Sequence, residues 1–377
     1  MKDVWIAPKQ VFDGQTVASG QAVRIVDDRI ADLAPAPGSA VPVKGCLTPG
    51  FVDLQVNGGG GVMLNTTPTP EGMAAIANAH REFGTVAIMP TVMTGAAEVL
   101  DSAADAVIAA QHDCGIVGLH IEGPHISMAR RGTHNAASIR DMDTRTMGLV
   151  ARLRRQGVAV MITVAPEAVT DAQIAALAGL GAVVSIGHTD ASAEEVEAAI
   201  AAGASCATHL FNAMSPMTGR APGAVGAIIN SQLRSGIICD GHHVDDRMIR
   251  LALRSRPTDD LMFVVSDAMA TVGGPDHFDL YGQEVRLEGG RLINAEGNLA
   301  GAHVTQAEGV ARLVCDIGIS LEQALRMAVS VPAHVIGQGD LAQIMGRKTR
   351  DLFLLSDDLT RALPFAAGAL AAQDTAD

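Results

Sequence analysis

Three side chains far apart in the sequence have the chemistry of a metal site. They are Glu122 in Gly118-Leu119-His120-Ile121-Glu122-Gly123-Pro124-His125, His188 in Gly187-His188-Thr189, and His209 in Ala207-Thr208-His209-Leu210-Phe211-Asn212. Each stands where a short apolar run gives way to polar residues. One carboxylate and two imidazoles, with a fourth position open for water, form the donor set of a catalytic Zn²⁺ site. The same donors suit Fe²⁺, Co²⁺ or Mn²⁺, so one divalent ion is expected, with zinc as the first choice. Such an ion lowers the pKa of water from about 16 toward about 7. Asp267, after the apolar Val264-Val265 and beside Ser266, could accept that water's proton and pass it to a leaving group. Alone, Asp267 reads as a cap or turn residue, and any one histidine as a loop residue. The set of four carries the chemistry.

Other polar residues gather at similar places. Gln55 and Asn57 point to one side of a strand and precede four glycines (58–61), so they either hold ligand or water or simply open a polar loop. His120 lies on the same side as Glu122, as support for it or as a hydrogen-bonded core histidine. Arg130, Arg131 and His134 share a donor-rich loop, Gly219-Arg220 precedes Pro222-Gly223, and Asp240-Gly241-His242-His243-Val244-Asp245 ends another apolar run. These are the places for anion-binding groups. His242 and His243 could be taken as a second metal site, but adjacent residues ligate one ion awkwardly.

The elements that must position these residues alternate. Short β-prone runs occur at 51–56, 86–89, 116–120, 159–163, 183–186, 206–210, 236–239 and 261–266, with Ala-rich helical stretches at 71–83, 96–111, 141–155, 171–178, 192–202 and 245–254. Thr170 with Gln173, and Ser192 with Glu195, have capping-box spacing. Two more helices, 305–317 and 320–330, follow the eighth run. Eight strands alternating with helices predict a (β/α)8 barrel, with an open doubly wound sheet as the rival. The barrel is preferred because its strand ends meet around one axis, where the polar residues fall. Residues 1–48 and 337–377 read as short strands and turns that together close a small β-sandwich domain beside the barrel at 49–336; the last dozen residues read as frayed.

Composition narrows the class. The 377 residues are 48% hydrophobic but contain only eight Phe, one Tyr and one Trp, so aliphatic residues and methionine must fill a large core. With 27 basic and 41 acidic residues the net charge is −14, which disfavours nucleic acid. Five cysteines form no CxxC pair. No signal peptide and no run of 18 apolar residues is apparent, so a cytoplasmic protein without a membrane span is expected. G-x-G-x-x-G after a strand, G-x-x-x-x-G-K-[ST] and G-x-S-x-G are absent, and no nucleotide cofactor or serine nucleophile is indicated.

These motifs, together with Pro49-Gly50-Phe51-Val52-Asp53-Leu54-Gln55-Val56-Asn57-Gly58, Arg131-Gly132-Thr133-His134-Asn135, Phe211-Asn212-Ala213-Met214 and Ser266-Asp267-Ala268, resemble in order the N-acetylglucosamine-6-phosphate deacetylases of the amidohydrolase superfamily. The resemblance implies metal-dependent hydrolysis of the acetamide of N-acetyl-D-glucosamine 6-phosphate to D-glucosamine 6-phosphate and acetate. It implies Glu122, His188 and His209 as metal ligands, Asp267 as acid/base, and His134 as the group that polarises the carbonyl. It further implies that Asn212, the backbone of Ala213 and Arg220 hold the phosphate, that His243 comes across a homodimer interface, and that Gln55 and Asn57 lie in the substrate site. Where many amidohydrolases carry His-x-His and two metals, this chain has Gln55-x-Asn57, and amides are poor zinc ligands, so one ion is expected. The alternatives are an N-acetyl-D-galactosamine 6-phosphate deacetylase, another amidohydrolase, or a non-catalytic binding barrel. The chain departs from the family at His125, at 299–306, where His303 enters as a possible substrate contact, and at 345–352.

Overall fold

The computed structural model describes residues 3–365 except 112–113, 296 and 298; the end read as frayed lies outside them. Eight parallel strands follow one another around a barrel in chain order: Phe51–Val56, Thr85–Met93, Leu119–Glu122, Val160–Val164, Val183–Ile186, Cys206–Ala207, Arg234–Ile237 and Met262–Val264, here barrel strands one to eight. Barrel strand five matches its expected bounds; strand three begins later, and strands six and eight stop earlier, because the chain bends away from the ladder as it reaches the polar residues.

No strand ladder joins barrel strands eight and one. The seam closes just beyond their ends, where Val56 bridges Ala268 and Ala268 bridges Ala302. Asn57 N and Gly58 N both donate to Ala268 O at 2.9 Å, and Asp267 N donates to Gln55 O at 3.0 Å. The backbone that seals the barrel is therefore the backbone that carries Asp267.

The barrel interior is not wholly aliphatic. A chain of hydroxyls crosses it: His120 Nε2 lies 2.7 Å from Thr163 Oγ1, which lies 2.6 Å from Thr208 Oγ1, which in turn lies 2.7 Å from Ser185 Oγ. Burial pushes the His120 ring down to about 4, so it stays neutral in this layer. Of the two readings, His120 is the hydrogen-bonded core histidine.

The outer helices follow the expected pattern. Asp171–Gly179 and Ala193–Ala202 open with the capping boxes of Thr170/Gln173 and Ser192/Glu195. A third box, Thr305 with Glu308, opens Gln306–Arg312. One helix was not expected from the sequence, Gly223–Asn230 after barrel strand six. Its first seven residues are all buried, so it has no polar face and no helical period to read.

Two further sheets complete the molecule. The strands of both chain ends form one seven-stranded sheet, in which Val41–Pro49 lies between Leu352–Leu355 and Val4–Phe12, with its own apolar core around Ile6, Val23, Ile30, Leu47 and Leu354. A three-stranded antiparallel insert, His277–Leu280, Gln283–Glu288 and Arg291–Asn294, follows barrel strand eight and was also not expected. Its two-residue turns, Tyr281-Gly282 and Gly289-Gly290, all have positive φ, as type I′ hairpins require.

Ser192 caps the helix that follows barrel strand five, and its hydroxyl is engaged in that cap. Ser192→Ala should cost about 1 kcal/mol of unfolding free energy, read as a lower denaturation midpoint at unchanged slope, with turnover unaffected. An unchanged midpoint would show that the cap does not stabilise this helix.

Candidate active site and metal centre

The ends of barrel strands three, five, six and eight bring Glu122, His188, His209 and Asp267 to one buried place. His188 Nε2 lies 3.3 Å from Glu122 Oε1, His209 Nε2 lies 3.1 Å from the same oxygen, and the two Nε2 atoms are 3.1 Å apart. Tetrahedral coordination at about 2.0–2.1 Å places neighbouring donors roughly 3.3 Å apart. The triangle thus fits one divalent ion. The outer nitrogen of His188 supports the same reading: Nδ1 lies 2.9 Å from Arg130 O and must donate to it, leaving an Nε2 lone pair turned inward. His134 offers Nε2 at 3.9 Å from Glu122 Oε2, and Glu122, His134 and His188 bring donor atoms within 4.8 Å of one another. The tighter set with His209 is the better coordination shell, and His134 stands at its edge.

Electrostatics reflect the crowding. Burial alone would raise the Glu122 carboxyl, but the His188 and His209 rings packed against it outweigh this and hold the group well below the usual carboxylate range. Burial opposes charge on His209, yet Glu122 outweighs that and raises its pKa. Burial, with His188 beside it, pushes His134 down to about 3, so its ring is neutral. Asp267 is pushed up to about 6, by burial first and by the Glu122 charge second.

Gln55 and Asn57 both face the site, with their amide nitrogens toward its carboxylates. Gln55 Nε2 donates to Glu122 Oε1 at 2.8 Å and to Asp267 Oδ1 at 3.1 Å, and Asn57 Nδ2 donates to Asp267 Oδ1 at 2.6 Å. Their amide nitrogens are spent on the two carboxylates, while Asn57 Oδ1 is buried without a hydrogen-bond partner. Asp53, not singled out in the sequence, lies behind them. Its carboxylate accepts from Ser266 N at 3.2 Å and from Gln55 N at 3.2 Å, so it ties barrel strand one to the segment carrying Asp267. An Asp inside an otherwise apolar strand was the signal available.

The cavity over these residues, about 180 Å³, is lined by Met93, the loop 132–134, Asn212, Ala213, His243, Met269, Leu299 and Gly301 as well as by the cluster itself. His243 lines the cavity that holds Asp267 of its own chain, with Nδ1 2.6 Å from Asp240 Oδ2. The loop after barrel strand seven turns the His243 ring toward this cavity, where Asp240 holds it. His242 is exposed beside it, so the pair do not converge as a second metal site. Asn212 Nδ2 donates to His209 O at 3.3 Å. Arg220 does not line the cavity; it is exposed on the loop that follows Ser215. His303 is also elsewhere, 2.9 Å from Thr271 Oγ1 and facing a separate cavity with Glu82, Phe83 and Glu308. Gly301, at φ +73°, breaks the extended backbone and turns residue 303 away. Contact between His303 and substrate in this cavity is therefore not supported. His125 is buried, with Nδ1 3.1 Å from Arg140 O, and does not line the cavity either.

A parallel barrel with a carboxylate, two imidazoles and a buried aspartate at its strand ends defines a metal-dependent hydrolase of the amidohydrolase type. The Amidohydrolase family model matches residues 46–363, and the chain belongs to that family, among its N-acetylglucosamine-6-phosphate deacetylases. It is 42% identical over 333 residues to an N-acetylgalactosamine-6-phosphate deacetylase of Shewanella sp. (strain ANA-3), covering 87% of this chain and 83% of that one. It is 34% identical over 300 residues to an N-acetylglucosamine-6-phosphate deacetylase of Haemophilus influenzae, covering 78% of each. The crystal structure of the N-acetylglucosamine-6-phosphate deacetylase from Pasteurella multocida superposes with a TM-score of 0.88 at 32% identity, covering 96% of this chain and 97% of that one. No helix among the described residues is long and apolar enough to cross a membrane.

Metal and protons compete for this cluster. Glu122 raises the His209 pKa in the metal-free protein, so protons and the ion compete there, and metal affinity should fall as the solution is acidified. Titration calorimetry in buffers of different ionisation enthalpy should show proton release on Zn²⁺ binding. A pH-independent affinity without proton release would contradict the assignment.

Proposed function

We propose that this protein hydrolyses the acetamide of N-acetyl-D-glucosamine 6-phosphate, releasing D-glucosamine 6-phosphate and acetate. The observation that carries this reading is the mutual 3.1–3.3 Å approach of Glu122, His188 and His209 in a cavity shared with Asp267. In this reading Glu122, His188 and His209 hold one divalent ion, Zn²⁺ in preference to Fe²⁺, Co²⁺ or Mn²⁺. When bound, the ion supplies Lewis acidity to the acetyl carbonyl and to water.

The side chains do the rest. Asp267 takes the proton of the attacking water and returns it to the departing amine, which without a proton would leave an amide very slowly. Gln55 and Asn57 both donate to Oδ1 of Asp267, which fixes the carboxylate and leaves Oδ2 as its proton-accepting oxygen. Burial raises its basicity, bringing its pKa nearer the working pH. His134, neutral and with Nε2 toward the cluster, donates to the oxygen that gains charge as water adds. Asn212 and the Ala213 main chain at one side of the cavity, with Arg220 on the adjoining loop, receive the phosphate, and His243, which lines the same cavity, completes that site. The family resemblance supports a cytoplasmic homodimer as the working form, without a nucleic-acid or membrane partner.

A second reading keeps the reaction and changes the epimer to N-acetyl-D-galactosamine 6-phosphate. It is favoured by the 42% identity to the Shewanella enzyme of that name.

Acetate release from both epimeric 6-phosphates, with and without added Zn²⁺, decides between them: the higher kcat/KM names the substrate, and no release from either would end the proposal. Asp267→Asn should remove nearly all turnover while metal content stays near one ion per chain; retained turnover would take Asp267 out of the mechanism. Arg220→Ala should raise KM about tenfold or more with little change in kcat. Turnover should also fall as acid protonates Asp267. Its metal-free value is about 6, and a nearby cation lowers it, so the acid limb of the loaded enzyme should lie below pH 6.

A further inference from the structure

We propose that Glu167 is a positioning residue for His188: its carboxylate holds the backbone turn that aims the His188 imidazole at Glu122 and His209. This role rests on His188 being a metal ligand, as in the proposed reaction, and not on which substrate the site takes. Glu167 is the middle residue of the short turn Pro166–Ala168 that follows barrel strand four. That turn is itself anchored, since Ala165 N donates to His125 O at 2.9 Å and Ala168 N to Ala165 O at 2.9 Å.

His188 lies at φ +47°, in the left-handed region, which a residue with a side chain adopts at a cost and keeps only where its surroundings hold it. Main-chain bonds hold the residues around it. Gly187 N donates to Val164 O at 3.2 Å, Ser127 N to His188 O at 2.8 Å, Thr189 N to Ala213 O at 3.0 Å and Ser215 N to Thr189 O at 2.9 Å. Two further donors of the turn, the Asp190 N–H and the Thr189 hydroxyl, both go to Glu167, at 2.6 Å to Oε1 and 2.5 Å to Oε2. An ionised carboxylate can only accept, so both bonds run from the turn to Glu167. Thr189 Oγ1 also accepts from Ala191 N at 3.0 Å, which leaves its own proton for the carboxylate.

An exposed glutamate is more often a solvated surface group or half of an ion pair. Among the described residues no lysine, arginine or histidine pairs with Glu167, and its two short contacts fall on the two residues directly after the ligand. The Asp190 side chain continues the link. It accepts from Arg130 Nε at 2.8 Å, and the Arg130 main-chain oxygen receives His188 Nδ1. That ion pair is open to solvent and contributes little by itself, whereas the bonds to Glu167 are short and charge-assisted. Water can replace Glu167 as an acceptor but cannot reproduce its fixed geometry. Its loss should therefore loosen the ligand without unfolding the chain.

Zn²⁺ affinity, measured by competition with a chromogenic chelator, reads the placement of His188 without any substrate. Glu167→Ala should weaken it by about tenfold to a hundredfold, the range for residues that orient a metal ligand. Glu167→Gln, which keeps an acceptor for Asp190 N but loses the charge, and Thr189→Val, which loses the hydroxyl, should weaken it by smaller factors. At saturating Zn²⁺ the kcat of all three should return to near the wild-type value, because Glu167 touches no substrate. Ser192→Ala, which weakens the following helix and removes no bond of the turn, should bind Zn²⁺ as the wild type does. A Glu167→Ala protein that binds Zn²⁺ as tightly as the wild type, or no more weakly than Ser192→Ala, overturns the proposal. Should the alanine variant not fold, wild-type affinity in both Glu167→Gln and Thr189→Val overturns it instead. Unchanged affinity in His188→Asn would remove the ligand assignment and the proposal with it. A wild type that binds Zn²⁺ but releases no acetate would overturn the reaction and leave Glu167 to be judged by the affinities.

Discussion

Three electron-rich atoms held within 3.1–3.3 Å of one another, in a place nearly closed to water, cannot be stable without positive charge among them. A proton shared between imidazole and carboxylate supplies it in the metal-free protein; a divalent ion supplies it better, because it satisfies all three donors at once. Much of the surrounding architecture serves this crowding. His188 is oriented by Arg130 O and Glu122 by the Gln55 amide. His188, His209 and Asp267 sit at φ +47°, +26° and +51°, a region that costs a non-glycine residue energy. The strand ends turn sharply so that each side chain meets the barrel axis, and the aliphatic core below absorbs the cost.

The seam of the barrel couples stability to chemistry. Barrel strands one and eight are joined where Asp267, Ala268 and Ala302 meet Gln55 and Val56, and Asp53 binds both sides from within. Burial raises the Asp53 carboxyl above the ordinary range, the mark of a group retained in the interior for the main-chain N–H groups it receives. The position of Asp267 relative to Glu122, His188 and His209 is thus set by the same bonds that make the sheet a barrel.

The sequence made the outline legible because its signals were local: apolar runs ending in polar residues, and helix starts such as Thr170-x-x-Gln173. The four residues of the cluster could be read from their places at the ends of barrel strands three, five, six and eight. What escaped was of three physical kinds. Helix Gly223–Asn230 is buried on all sides and has no period. The insert around Tyr281 carried turn signals, Tyr281-Gly282 and Gly289-Gly290, that the eight-fold alternation overshadowed. The directions of His243, His303 and Gln55 depended on backbone turns and hydrogen bonds between distant strands, which spacing does not encode. Asp53 was hidden for the same reason, since a buried aspartate declares its role only through the partners it meets in space.

Anomalous X-ray diffraction of Zn²⁺-loaded crystals, collected across the zinc edge, tests the central claim most directly. The account predicts one strong peak per chain at about 2.0–2.2 Å from Glu122 Oε1, His188 Nε2 and His209 Nε2, with His134 outside bonding distance. A peak bound by His134 in place of His209, a second peak of equal strength between Gln55 and Asn57, or no ion at these side chains would contradict it.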